Sequence, residues 1–400
     1  MTIAFFIGIF LLFLLAPFDP DLGWHLRCGQ EFWSQHTFCS QNTFTVLLPN
    51  YFWPNHYWLY QAALWPFYKI FGLVGLTILN ATVITGAFVL FYKSIKTEVI
   101  YKFIAILIII FLGWGVFSLG IRSQLLSFFW FNLLLYLGSK GKWGVLVPFV
   151  MLLWANTHGG SVILGLILIA FLYYKKPLLL MTSLAATFIN PFGWLIYEDA
   201  IRHFDGPIKL SGLIAEWVPP GNDIKIIMII TFIIFTCLAA RRVIVIKKIN
   251  LSTLLLFLFL LLSFTARRHV LFYFDLLCFC FLSSPPRLRL AKRGEAGNFF
   301  YFQKVVSLLL VLLVFFISSI RVLSNLSTVS SWQNFCDNSP VTYPCKGVEF
   351  LKTQGVGNIY NRYEWGGFLI WQTPAYKFFA DGRMPAWPAS SAGKIKSPYT

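Results

Sequence analysis

Asp19 and Asp21, one residue apart in Phe18-Asp19-Pro20-Asp21-Leu22-Gly23-Trp24-His25, are the side chains best placed to do chemistry. Carboxylates at that spacing can flank a metal ion, or one can accept a proton while the other orients it. Pro20 fixes one backbone angle between them, so their relative placement is constrained. The plainer alternative is a polar helix end at a membrane surface. A second constellation is Trp154-Ala155-Asn156-Thr157-His158-Gly159-Gly160, where glycines would let a backbone approach Asn156 and His158 closely. A third is Thr265-Ala266-Arg267-Arg268-His269, with Asp275 two helical turns beyond Arg268 on the same face. Arginine suits phosphate geometry, so this element is either an anion site or an Arg–Asp clamp. Arg122 adds a further cation, Glu216-Trp217 ends a polar stretch, and Tyr363-Glu364-Trp365-Gly366-Gly367 and Asp381-Gly382-Arg383 either close over a site or fold the C-terminal segment.

The elements that must position these residues are apolar. The 400-residue chain is 58% hydrophobic and only 12% charged, with mean hydropathy +0.71. Soluble domains carry about a quarter charged residues, and several runs here approach the roughly 20 apolar residues that cross a bilayer. The sequence therefore predicts an all-α polytopic membrane protein. Its net charge of +17 does not indicate a nucleic-acid binder. Half of its 32 Lys and Arg fall in five clusters between apolar runs, at 93–102, 140–142, 175–176, 241–248 and 287–304, rather than on one surface. Such clusters mark cytoplasmic loops and contact with anionic lipid headgroups.

About eleven transmembrane helices are expected: 3–17, 73–92, 103–118, 123–138, 144–156, 161–174, 178–190, 223–240, 250–264, 269–283 and 305–322. With the N-terminus cytoplasmic, the basic clusters follow even-numbered spans. Every constellation named above then falls on the extracytoplasmic side of a cytoplasmic (inner) membrane. The first span reads as a retained helix rather than a cleaved signal, because it lacks a basic start and a small-residue cleavage site.

Residues 18–72 form a long first outer loop rich in Trp, Tyr and His, with an interfacial helix over 57–65. The expected division is a membrane domain over 1–322 and a small extracytoplasmic α/β unit over 323–400, with a helix near 345–354 and strands near 357–360 and 377–380. Ser-Pro-Tyr-Thr ends the chain without a closing element, so this unit is either minimal or truncated. Cys28 with Cys39, and Cys336 with Cys345, could each pair in an oxidising compartment. Cys237, Cys278 and Cys280 fall in apolar runs and read as packing residues.

Together these motifs resemble the bacterial branch of the GT-C membrane glycosyltransferases, which includes protein O-mannosyltransferase-like and aminoarabinose-transferase-like enzymes. The likeness runs from Asp19-Pro20-Asp21 with Trp24 and His25, through Asn55-His56-Tyr57-Trp58 and Trp154-Ala155-Asn156-Thr157-His158-Gly159, to Asn190-Pro191-Phe192-Gly193, Glu216-Trp217, Arg267-Arg268 and Asp381-Gly382-Arg383. It implies an inverting transferase whose sugar donor is carried on a polyprenyl phosphate and whose acceptor is a glycan, lipid or protein hydroxyl. Asp19, Asp21 and His25 would then be catalytic. Arg267, Arg268, His158 and Arg122 would bind the donor phosphate. Asn55, His56, Trp58, Asn156, Glu216, Trp217, Asp381 and Arg383 would bind the acceptor or line the pocket. Relatives differ in metal use, so a divalent cation, Mg or Mn, at Asp19 and Asp21 stays open, and no other cofactor is implied. The rival expectations are a transporter or flippase for a lipid-linked glycan, which would favour ionisable groups at the bilayer midplane and internal repeats, and a non-catalytic envelope assembly protein.

Overall fold

The computed structural model describes residues 1–141, 143–205, 217–246, 251–283, 295–384 and 387. The described residues are mostly helical, at 74%. Each of the eleven apolar runs contains a helix: α1 (Thr2–Leu12), α3 (Trp58–Ser94), α4 (Val99–Phe117), α5 (Ser123–Lys140), α6 (Val147–His158), α7 (Val162–Leu172), α8 (Pro177–Thr187), α10 (Asn222–Ile246), α11 (Leu251–Thr265), α12 (Arg267–Ser283) and α13 (Glu295–Ser330). Among the described residues, four apolar helical stretches are long enough to cross a membrane by length and composition: α3, α4, the stretch Gly144–Leu172 containing α6 and α7, and Tyr301–Ser330 within α13. Local chemistry sets several ends. Pro148 and Pro177 open α6 and α8, where a missing N–H costs nothing. Gly141, left-handed at φ 67°, closes α5. Gly72 (φ 60°) divides α3 into two parts, which cover the stretches 57–65 and 73–92 expected as separate elements.

Packing among the helices is dominated by phenylalanine. Phe5, Phe13, Phe88, Phe103, Phe117, Phe128, Phe131 and Phe259 are all fully buried in one core. Phe5 of α1 stacks on Phe103 of α4 at 3.8 Å between ring centroids. Phe128 of α5 meets Phe88 and Phe117 edge-on at 5.4 and 5.6 Å. Such pairs contribute roughly 0.5–1.5 kcal/mol each beyond burial. In a lipid setting, where apolar burial alone does not drive helix association, shape-matched contacts of this kind hold a bundle.

Two polar contacts fix where the chain leaves this bundle toward Asp19. The Asn80 amide of α3 donates to the Phe13 carbonyl at 2.8 Å, satisfying one of the acceptors left over at the end of α1. The Phe18 N–H then donates to the Leu119 carbonyl at 2.9 Å. That second bond ties the Asp-Pro-Asp turn to the α4–α5 connection, which carries Arg122.

A second core joins the 18–72 segment to the C-terminal residues. The segment contains α2 (Leu22–Gln35), which the sequence pattern did not predict. Residues after α13 form α14 (Trp332–Asn338), α15 (Cys345–Lys352), β1 (Asn358–Ile359), α16 (Gly366–Gln372) and β2 (Lys377–Phe378), with β1 and β2 paired in parallel. The expected helix and two strands are present, while α14 and α16 were not anticipated. A column of rings crosses the junction: Phe18 on Phe335 (5.3 Å), Phe335 on Tyr343 (5.6 Å) and Tyr343 on Phe368 (4.6 Å). Thr45 bridges to Phe378, so the first loop also adds to the small sheet. Both anticipated cysteine pairs, Cys28–Cys39 and Cys336–Cys345, are disulfides in this region.

Candidate functional site

The ends of separate helices converge on one small polar cavity of about 110 Å³. The turn before α2 supplies Asp19 and Asp21, and α2 itself supplies Trp24 and His25. The approach to α3 supplies Trp53, His56 and Tyr57. The start of α5 brings Arg122, Ser123 and Gln124, and the end of α6 brings His158. Asp199 comes from α9 (Leu195–Asp205), Trp217 from the chain before α10, Arg268 from the start of α12, and Tyr363, Gly382 and Arg383 from the C-terminal unit.

Its electrostatics alternate. Asp19 is 3% exposed, with its carboxylate 3.4 Å from Nε of Arg122. Its Oδ1 also accepts the Asp21 N–H at 3.3 Å, and Asp21 accepts the Trp24 indole N–H at 3.0 Å. His56 Nδ1 lies 3.5 Å from the Asp199 carboxylate. Arg268 lays its guanidinium over the Trp217 ring at 3.4 Å from its centroid, a cation–π contact that arginine favours. Arg383 is gripped by both oxygens of Asp381, at 2.8 and 2.7 Å, and sits among the rings of Phe44, Trp53 and Trp387. Tyr343 reaches the Asp19 carbonyl from below. Its phenol is pushed well up, by burial first and then by Asp19 and Asp21, so it remains a neutral donor.

Hydrogen-bond logic fixes His25. Asn55 Nδ2 donates to the Phe38 carbonyl (2.7 Å) and to Gln61 Oε1 (2.7 Å), which orients the Gln61 amide. Gln61 Nε2 therefore faces His25 Nδ1 as a donor at 3.2 Å, and the proton of neutral His25 lies on Nε2. Burial, then the nearby Arg122 and His56, holds the His25 imidazolium well below the usual histidine range. His25 thus offers the pocket an N–H, not a base. His158 is held by two hydroxyls: Ser127 Oγ, which accepts the Trp154 indole N–H at 2.9 Å, lies 2.6 Å from His158 Nδ1, and Ser161 Oγ lies 3.3 Å from His158 Nε2. Tyr57 lies among all three histidines, 5.2 Å from His25, 4.1 Å from His56 and 5.5 Å from His158 between ring centroids. Gly159 permits this assembly: a β-carbon there would stand 2.8 Å from Cβ of His56.

Of the residues singled out in sequence, Asp19, Asp21, His25, His56, Arg122, His158, Trp217, Arg268 and Arg383 line this cavity. Asn55, Trp58, Asn156 and Asp381 stand behind it. Asn55 orients Gln61, Trp58 donates to Asn156 Oδ1 at 2.7 Å, and Asp381 holds Arg383. Arg267 lines an adjoining groove instead, and Glu216 lies outside the described residues. Asp275 is fully buried in the helical core and forms no ion pair with Arg268. Tyr363, from the C-terminal motif expected either to close over a site or to fold that segment, also lines the cavity, whereas sequence reasoning missed Asp199. Only the amphipathic pattern of Leu195–Asp205, with adjacent carboxylates Glu198 and Asp199, hinted at it.

A divalent cation does not fit the described donor set well. Mg²⁺ and Mn²⁺ want several oxygen ligands in near-octahedral array, but Asp19 already faces a guanidinium and Asp21 an indole. Among the described residues no group of three or more His, Cys, Asp or Glu side chains could hold a metal ion.

The adjoining groove has a volume of about 410 Å³. Leu112, Gly115 and Val116 of α4, Ile224 of α10 and Val270 of α12 give it apolar walls, with Arg267 beside them. Arg122, Gln124 and Arg268 line both the groove and the polar cavity. No family model, curated protein or solved structure matches this chain.

Proposed function

We propose that this chain is an integral-membrane glycosyltransferase of GT-C type. In this reading about eleven helices cross a cytoplasmic membrane, with the N-terminus inside and the polar cavity facing out. The enzyme moves a sugar from a polyprenyl-phosphate donor to an acceptor hydroxyl on a glycan, lipid or protein. One observation carries the reading: a cavity with paired carboxylates shares two arginines with an apolar groove. A polyprenyl-phosphate sugar has the matching parts, an apolar chain, an anionic phosphate and a polar sugar. The positive-inside pattern and the two disulfides at the cavity end support the outward orientation.

The reaction follows from those parts. A carboxylate of Asp19 or Asp21 takes the acceptor proton. The acceptor oxygen bonds to the anomeric carbon as that carbon's bond to the phosphate oxygen breaks, in a single displacement that inverts its configuration. The electron pair leaves with the phosphate, whose added charge is met by Arg268, Arg122 and the N–H of His25.

The test uses purified protein in nanodiscs, radiolabelled polyprenyl-phosphate sugars, and Asp19→Asn and Asp21→Asn variants. Loss of transfer by roughly 10²–10⁴-fold in at least one is expected for a general base. Full transfer in both would reject the reading.

A further inference from the structure

A second cavity, of about 690 Å³, lies where α2 and the chain after it meet the turn before β2. Its volume falls in the roughly 300–1,000 Å³ range of small-ligand sites. Much of its polar lining is neutral. The side chains of Gln35, Thr37, Gln41 and Thr43 face it and form no hydrogen bond with other described residues. Two aromatic rings complete the walls, Phe44 and Tyr376. The walls are stiff: Cys28–Cys39 pins one side, Phe378 N–H donates to the Phe44 carbonyl at 3.0 Å, and the Tyr376 hydroxyl donates to the Leu351 carbonyl at 3.0 Å.

Three ligand classes fit this cleft poorly. An extended peptide would add to a sheet edge, but β2 is flanked by β1 on one side and by Phe44–Val46 on the other. An anion would need available cations, yet Arg27 is committed to Glu31 at 3.1 Å, leaving Lys377 alone. A lipid tail would need continuous apolar walls, and amides and hydroxyls interrupt them. What remains is a ligand rich in neutral hydroxyls with apolar C–H faces.

We propose that this cleft binds a neutral oligosaccharide, its hydroxyls bonded to the side chains of Gln35, Gln41 and Thr43 and its sugar faces set against Phe44 and Tyr376. Phe44 also links the cleft to the polar cavity. Arg27, which lines the cleft, stands 6.0 Å from its ring centroid, and Arg383, which lines the cavity, stands 4.7 Å from it. Under the transferase reading, on which this clause alone rests, the cleft holds an acceptor glycan beyond the hydroxyl that reacts.

The experiment probes full-length protein in nanodiscs with an array of neutral and acidic oligosaccharides, then titrates the strongest neutral binder at equilibrium. Wild type should retain a neutral glycan. The double variant Gln41→Ala/Thr43→Ala should bind it about tenfold more weakly, as should Gln35→Ala in the separate wall formed by α2. Asp21→Asn should bind like wild type, which separates this site from the catalytic proposal. Retention of acidic glycans only, retention of none, or unchanged affinity in both variants overturns the inference. Intact binding without any transfer would sink only the catalytic reading.

Discussion

Gly382 lies against the Asp21 carboxylate with no room for a side chain: a β-carbon at that position would collide with the Asp21 carboxyl group. The segment carrying Gly382 cannot easily withdraw. Asp381 clamps Arg383, and the Asn361 amide donates to the Ala380 carbonyl at 2.8 Å. Gly382→Ala must therefore displace Asp21 or lift the C-terminal unit. A shift of ~1 Å in a reacting group can cost about 100-fold in rate. Transfer should fall on that scale while helix content by circular dichroism holds, and a wild-type rate would show that Asp21 tolerates displacement.

His25 should act as a hydrogen-bond donor across the working pH range. Glutamine can place an amide N–H near the imidazole Nε2 position, so His25→Gln should keep most transfer, whereas His25→Ala should lose roughly 10–100-fold. The pH–rate profile should have the same shape in wild type and His25→Gln, because buried His25 does not gain a proton near its ordinary 6.5. Stability gives a second readout. The unfolded chain protonates this histidine as pH falls through 6.5 and the folded chain does not, so the unfolded state binds more protons and stability drops. His25→Gln removes that contribution. Its Tm should decline less than wild type between about pH 7 and pH 5, and an equal decline would argue that folded His25 titrates.

The helices were legible because their apolar runs are long, and the basic clusters between them pointed Asp19, His158 and Arg268 to a common side. The partners of those residues were less legible. His56 meets Asp199 far along the chain, and no period or cap in Leu195–Asp205 states what its polar face will touch. The seven-residue step from Arg268 to Asp275 gave a shared helix face, but not the direction of each side chain. Arg268 lies at the helix start and turns onto Trp217, while Asp275 is packed in the core. Helix α2 was hidden because its sequence, LGWHLRCGQEFWSQ, is only weakly apolar and is held by tertiary contacts with α3 and α16. Gly366, Gly367 and Gly382 belong to motifs expected either to close over a site or to fold the C-terminal segment. Their absent side chains let the C-terminal unit approach the Asp-Pro-Asp turn and its own Ala380–Asp381 segment.

Chelation should leave the reaction intact. Arg122 stands 3.4 Å from Asp19, where a resident divalent cation would otherwise supply positive charge. Transfer in excess EDTA should match the untreated rate. Arg122→Ala should reduce it by about 100-fold, and Arg122→Lys by less, since lysine restores the charge without the planar fork. Loss of activity in EDTA with recovery on Mg²⁺ or Mn²⁺ would instead assign the carboxylates to a metal.

Gly115 offers a way to block the groove without disturbing the bundle. It lies within α4, and a β-carbon there would meet no atom within 4 Å because the position opens on the space between α4, α10 and α12. A longer side chain at this position would project into that space rather than into a neighbouring helix. Replacing glycine inside a helix also gains up to ~1 kcal/mol of helix propensity, so folding should not suffer. The series Gly115→Ala, Gly115→Leu and Gly115→Trp should raise the donor KM progressively, by about tenfold or more for the larger two, the equivalent of about 1.4 kcal/mol of lost donor binding. Tm should stay level or rise. Acceptor KM should not move, and a donor with a truncated isoprenoid chain should be less affected than the full-length lipid. Equal penalties for short and long donors would mean that the chain lies elsewhere. An unchanged KM in a folded Gly115→Trp protein would exclude this groove as the lipid's seat.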